Sequence, residues 1–156
     1  MTRHNDGNAG RGRGGKRRTH RFAYAAAIGL YAGLIWGAIR WFAVLLNFTS
    51  VSQAFLMDPF VRRAELVDWN WQLAGYAAFV VMSVVAALVY LLLLGRLAGP
   101  WPGILFGAAW WVALYVGAGP YIGIVPPLTR IDMNSYVTDA CLFIAWGVFI
   151  GYSIAF

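Results

Sequence analysis

From Trp71 to Leu94 the chain runs without a single charged residue, through VVMSVVAALVYLLLL, and this stretch restricts the fold more than any other feature. As an α-helix rising ~1.5 Å per residue it reaches across the ~30 Å hydrocarbon core of a bilayer. Three further stretches share its character: Phe22 to Leu46, apolar except for Arg40, then Trp101 to Gly119, and Ser135 to Phe156. A chain that is 61% hydrophobic and 12% charged cannot cover such segments with a polar surface. Eight Trp, eight Tyr and ten Phe add the aromatic load that collects where a bilayer meets water. The expected fold is therefore all-α, a polytopic membrane protein built as a four-transmembrane-helix bundle.

The segments between these spans have their own signals. Residues 1–21 are rich in Gly, Asn and Arg with little apolar content, so they are expected to form a disordered basic tail ahead of a membrane domain over 22–156. The basic stretch and apolar run also match the outline of a signal peptide. The run is longer than a cleavable h-region of roughly 7–15 residues, which favours an uncleaved anchor. Between the first two spans, Asp58 and Pro59 have the form of a helix start. Phe60, Val61, Ala64 and Val67 then recur at helical spacing, predicting a short interfacial helix flanked by Trp69 and Trp71. Gly117, Gly119 and Pro120 interrupt the third span, leaving Tyr121 to Val125 as either a re-entrant extension or an interfacial loop.

Orientation follows from the cations. Arg3, Arg11, Arg13, Lys16, Arg17, Arg18 and Arg21 precede the first span and Arg96 lies in the second loop, whereas only Arg62, Arg63 and Arg130 occupy the other side. Eight against three places both termini in the cytoplasm. The clustered tail cations also predict contact with anionic lipid.

Two sets of residues inside the spans stand out. Gly29, Gly33 and Gly37 repeat every fourth residue in the first span, and Gly147 and Gly151 do so in the fourth. Such stripes let helix backbones approach closely and mark packing seams, either within one chain or toward a homo-oligomer or another membrane protein. Arg40 and Asp139 are charges at similar depth, which permits an intramembrane ion pair. The competing description has Arg40 snorkelling outward and Asp139 favouring the start of its helix.

Reactive chemistry has no candidates. Both histidines, His4 and His20, precede the spans, and the lone Cys141 lies in an apolar run. The spans contain neither a G-x-S-x-G nor an H-E-x-x-H motif, so no catalytic residue, metal site or cofactor is expected. The string GRGRGGK at residues 10–16 continues into Arg17 rather than Ser or Thr, which argues against a phosphate loop. With no aromatic before Phe22 for base stacking, nucleic-acid binding is not expected either. Asn47-Phe48-Thr49 matches a glycosylation sequon, relevant only in a cell that glycosylates that face.

The strings YAGLIWGAIRWF, FTSV, LMDPF, GPWPG and CLFIAWGVFIGYSIAF resemble the YqhR family of bacterial conserved membrane proteins, over roughly Phe22 to Phe156. The resemblance implies a four-span protein of the bacterial plasma membrane and carries over no catalytic or ligand-binding residue. The glycine seams, the aromatic belts and the lack of reactive groups favour a non-enzymatic accessory or assembly factor of the envelope. The alternative is a small transporter or channel subunit using Arg40 and Asp139.

Overall fold

The computed structural model describes residues 13–51, 56–57, 60, 68–97, 99–123 and 131–155. All regular structure among them is helical: α1 (Arg13–Leu45), α2 (Trp69–Leu93), α3 (Trp101–Val112), a π-helical turn (Ala113–Gly117), α4 (Ala118–Ile122) and α5 (Met133–Ala155). Within these, His20–Leu45, Trp69–Leu93 and Met133–Ala155 are long and apolar enough to cross a membrane, and Trp101–Gly117 is a shorter apolar helix.

Only 28–33% of the residues in the most apolar stretch of each long span are buried inside the protein. The outward residues are themselves greasy: Leu92 is 68% exposed, Val81 63% and Leu105 67%. Apolar surface in this amount is stable only against lipid.

The helices associate as two close pairs, α1 with α2 and α3 with α5, joined mainly where α1 meets α5. Glycine sets the first seam. A methyl group on Gly29 would lie 2.7 Å from Val84 Cα, and one on Gly33 2.8 Å from Val80 Cα, while Gly37 makes room for the Tyr76 ring. The second seam is glycine against glycine. A methyl on Gly147 would meet the Gly103 carbonyl oxygen at 2.5 Å and Gly107 Cα at 2.6 Å, and one on Gly151 would meet Gly103 Cα at 2.9 Å. With no hydrophobic drive between helices in lipid, such close approach supplies the van der Waals contact that holds a pair.

Aromatic rings fill the centre. Trp146 is 1% exposed and lies 5.8 Å from Phe143 and 6.2 Å from Phe106, measured between ring centroids. Its indole N–H donates to Ser83 Oγ at 2.9 Å, tying α5 to α2. Tyr76 similarly donates to the Leu34 carbonyl at 2.8 Å, between α2 and α1. These bonds satisfy polar groups that lipid could not.

The structure departs from the sequence expectations at several boundaries. Helix α1 begins at Arg13 rather than Phe22, so the last part of the segment expected to be disordered is helical. Gly14 and Gly15 resist helix formation locally, but a long apolar helix continuing from them favours propagation. The break in the third apolar segment starts earlier than Gly117, as the π-helical turn from Ala113. Helicity then resumes through Pro120, whose missing N–H is tolerated in the first turn of α4, and ends at Gly123 in the left-handed conformation (φ 83°). Tyr121 and Ile122 are thus helical, while Ile124 and Val125 lie outside the described residues. The interfacial helix expected after Asp58 also falls outside them, apart from Phe60.

Candidate functional site

The end of the bundle opposite the termini holds a cluster of buried polar groups. Its geometry begins at the close of α1. Asn47 takes a left-handed conformation (φ 58°), Phe48 N–H bonds to the Ala43 carbonyl at 2.9 Å and Asn47 N–H to the Val44 carbonyl at 3.1 Å. This paired bond pattern is a Schellman motif, and asparagine is the residue besides glycine that tolerates its central position. The chain is thereby reversed, and residues 48–51 fold back over the bundle toward α5.

Asp139, fully buried in the second turn of α5, is the focus. Tyr115, from the π-helical turn, donates to its Oδ2 at 2.5 Å, and Thr49 donates to the same oxygen at 2.9 Å. The guanidinium of Arg40 approaches from α1, with Nε 3.5 Å from Asp139 Oδ1. Arg40 Nη2 donates at 3.4 Å to the carbonyl of Val51 in the folded-back segment. One turn before Asp139, Ser135 Oγ accepts the Ser50 N–H at 2.8 Å and lies 3.1 Å from Ser50 Oγ. Asn134 adds a bond to the Phe48 carbonyl at 3.4 Å.

The structure thus brings Arg40 and Asp139 together, with side chains 2% and 0% exposed; Arg40 does not snorkel outward. Burial of this depth makes an isolated charge very costly, and each charge here is met by the other and by neutral dipoles. The void that adjoins Arg40, walled by Trp36, Phe79 and Trp146 among others, is about 10 Å³, close to the least that one water needs. The pair is closed to solutes. Asp139 Oδ2 takes both hydroxyl bonds while Oδ1 has only the ionic approach of Arg40; the cluster holds the folded-back segment and offers no exposed acid, base or nucleophile.

The glycines singled out in the sequence lie elsewhere, in the two seams. Gly29, Gly33 and Gly37 face α2, and Gly147 and Gly151 face α3, Gly151 also touching Tyr90. Sequence reasoning missed Thr49 and Tyr115 as partners of the charged pair, Ser135 as the anchor of Ser50, and Gly103 and Gly107 as the other half of the second seam. The glycines were detectable, since they repeat the four-residue spacing. A buried carboxylate requires donors, but nothing in the sequence marks which hydroxyls supply them.

Comparison with known proteins agrees with this architecture. Residues 13–156 match the family described as "Conserved membrane protein YqhR". A relative from Bacillus subtilis (strain 168), named "Uncharacterized protein YqhR", is 32% identical over 135 residues, covering 84% of this chain and 74% of its own length. No solved structure matches the chain. On the match along nearly its whole length, and on its apolar helices, the chain belongs to the YqhR family of conserved membrane proteins.

Proposed function

We propose that the protein is a non-enzymatic accessory or assembly factor of the cell envelope, a multi-pass protein of the bacterial plasma membrane with both termini cytoplasmic, which works by packing against a membrane partner. The observation that carries this reading is how the polar groups are disposed. The charged pair is enclosed and bound to groups of the chain itself, whereas a large apolar groove opens between the C-terminal end of α2 and the side of α3. That groove is about 460 Å³ and is lined by Leu93, Leu94, Pro102, Leu105 and Trp110 among others. The glycine seams are already occupied within the chain, so a partner helix would use this groove rather than a glycine stripe. A transporter subunit draws no support from a pair adjoined by so small a void.

The test is crosslinking in native membranes followed by purification, run beside flux assays in proteoliposomes. A defined partner should be recovered with the wild-type chain and lost with Ala109→Trp, which fills the groove from α3, while the liposomes show no flux. Solute or proton flux that falls in Arg40→Gln or Asp139→Asn would overturn the reading in favour of transport.

A further inference from the structure

We infer that the end of the bundle carrying the termini holds a binding site for an anionic glycerophospholipid, with the lipid phosphate between His20 and Arg21 and an acyl chain against Leu91 and Ile154. Here the N-terminal part of α1 meets the C-terminal ends of α2 and α5 around a cavity of about 400 Å³, lined by His20, Arg21, Tyr24, Leu91, Gly95 and Ile154. This inference rests on membrane residence and stands independently of any protein partner.

Three observations lead to it. The first is depth: His20 opens the apolar part of α1, while Leu93 and Ala155 close α2 and α5. The cavity therefore sits where hydrocarbon gives way to headgroups, its polar groups toward water and its aliphatic groups at the span ends. The second is the division of donors. Tyr24 already donates its hydroxyl proton to the Ser153 carbonyl at 3.1 Å, which ties α1 to α5 and makes the tyrosine a wall. His20 and Arg21 are the other polar side chains lining the cavity and both are exposed, and Arg96 follows Gly95 in the adjacent turn.

The third observation is charge. The chain has six carboxylate side chains: Asp6, Asp58, Glu65, Asp68, Asp132 and Asp139. Asp6 belongs to the N-terminal segment outside the described residues. Asp58 and Glu65 also lie outside them, and Asp68, Asp132 and Asp139 fall just before α2 or around the start of α5, at the opposite end. α1, α2 and the last turns of α5 contain no acidic side chain to pair with Arg21 or Arg96. A lipid phosphate supplies the missing charge, and basic pockets between transmembrane helices take anionic headgroups for this reason. The aliphatic floor distinguishes a lipid from a free anion, because only a lipid brings a chain to cover it.

The experiment uses the full chain in detergent micelles. Native mass spectrometry would follow binding of phosphatidylglycerol against phosphatidylcholine, with inorganic phosphate as a competitor. Phosphatidylglycerol should be retained preferentially and resist competition by phosphate. Arg21→Gln should weaken retention about tenfold, as expected for loss of a hydrogen bond to a charged group. Ile154→Trp, which fills the floor and leaves every charge in place, should weaken it as well. Arg11→Gln removes the same charge earlier in the sequence and should change retention by less than about twofold, the outcome expected of a cation that contributes only to the diffuse field. Equal losses in Arg11→Gln and Arg21→Gln would show a diffuse field and overturn the site. Displacement by phosphate, or unaltered binding in Ile154→Trp, would show a free-anion site and overturn the lipid assignment.

Discussion

The carboxylate of Asp139 accepts two hydroxyl bonds at one oxygen and faces a guanidinium with the other, so its neighbours are specialised for a negative charge at that position. Loss of one charge should therefore be far worse than loss of both. Asp139→Asn or Arg40→Gln alone should lower stability by about 3–5 kcal/mol, because the remaining charge is left buried and unpaired. Arg40→Met combined with Asp139→Leu should recover a substantial part of that loss; thermal unfolding in detergent, followed by size-exclusion recovery, reads both. Reversing the pair, Arg40→Asp with Asp139→Arg, should not recover it. A guanidinium at position 139 would face the proton-bearing sides of Thr49 and Tyr115, and a carboxylate at position 40 would face the Val51 carbonyl. Tyr115→Phe should cost about 1–3 kcal/mol by withdrawing one donor from a buried acceptor. The two charges could be singled out in the sequence because charge is conspicuous in an apolar run. Their hydroxyl partners could not, since Thr49 depends on a left-handed turn at Asn47 and Tyr115 on a π-helical turn. Neither conformation leaves a periodic trace.

Among the elements, α3 and α5 offer the sharper test because their seam is glycine on both sides. Gly147→Leu should force the helices apart, since even its first carbon would meet the backbone of Gly103 and Gly107. We expect a loss of about 1–3 kcal/mol or more from overpacking. Leu105→Ala, at a position 67% exposed on the neighbouring face of α3, should be close to neutral. Helix-pair separation can be read by disulfide trapping across the seam together with the same unfolding assay. The apolar stretches themselves were plain in the sequence, because transfer energetics act residue by residue and need no tertiary information. Helix ends were less so. Trp69 and Asn70 join α2, and Met133 and Asn134 join α5, although none lies in the corresponding sequence-predicted span. Hydropathy weighs the side chain, whereas a helix continues for as long as its backbone bonds can be made.

For the whole molecule, the proposed sidedness makes a direct prediction. Cys141 is the one cysteine, so Cys141→Ser gives a clean background for single reporters. With Asn70→Cys, a membrane-impermeant maleimide should label intact cells; with Asn8→Cys it should label only after the membrane is opened. The reverse pattern would invert the topology while leaving the bundle intact. Within the bundle, the folded-back segment after α1 has implications for biosynthesis. Arg40 and Thr49 leave the ribosome well before Asp139, which stands 90 residues beyond Thr49 in the sequence. Through most of translation the first helix waits in the membrane with its arginine lacking the Asp139 carboxylate. It is not relieved until the last helix enters. A message cut short before α5 would leave that charge stranded in lipid, a defect that membrane proteases are suited to detect, and only a finished chain would escape them.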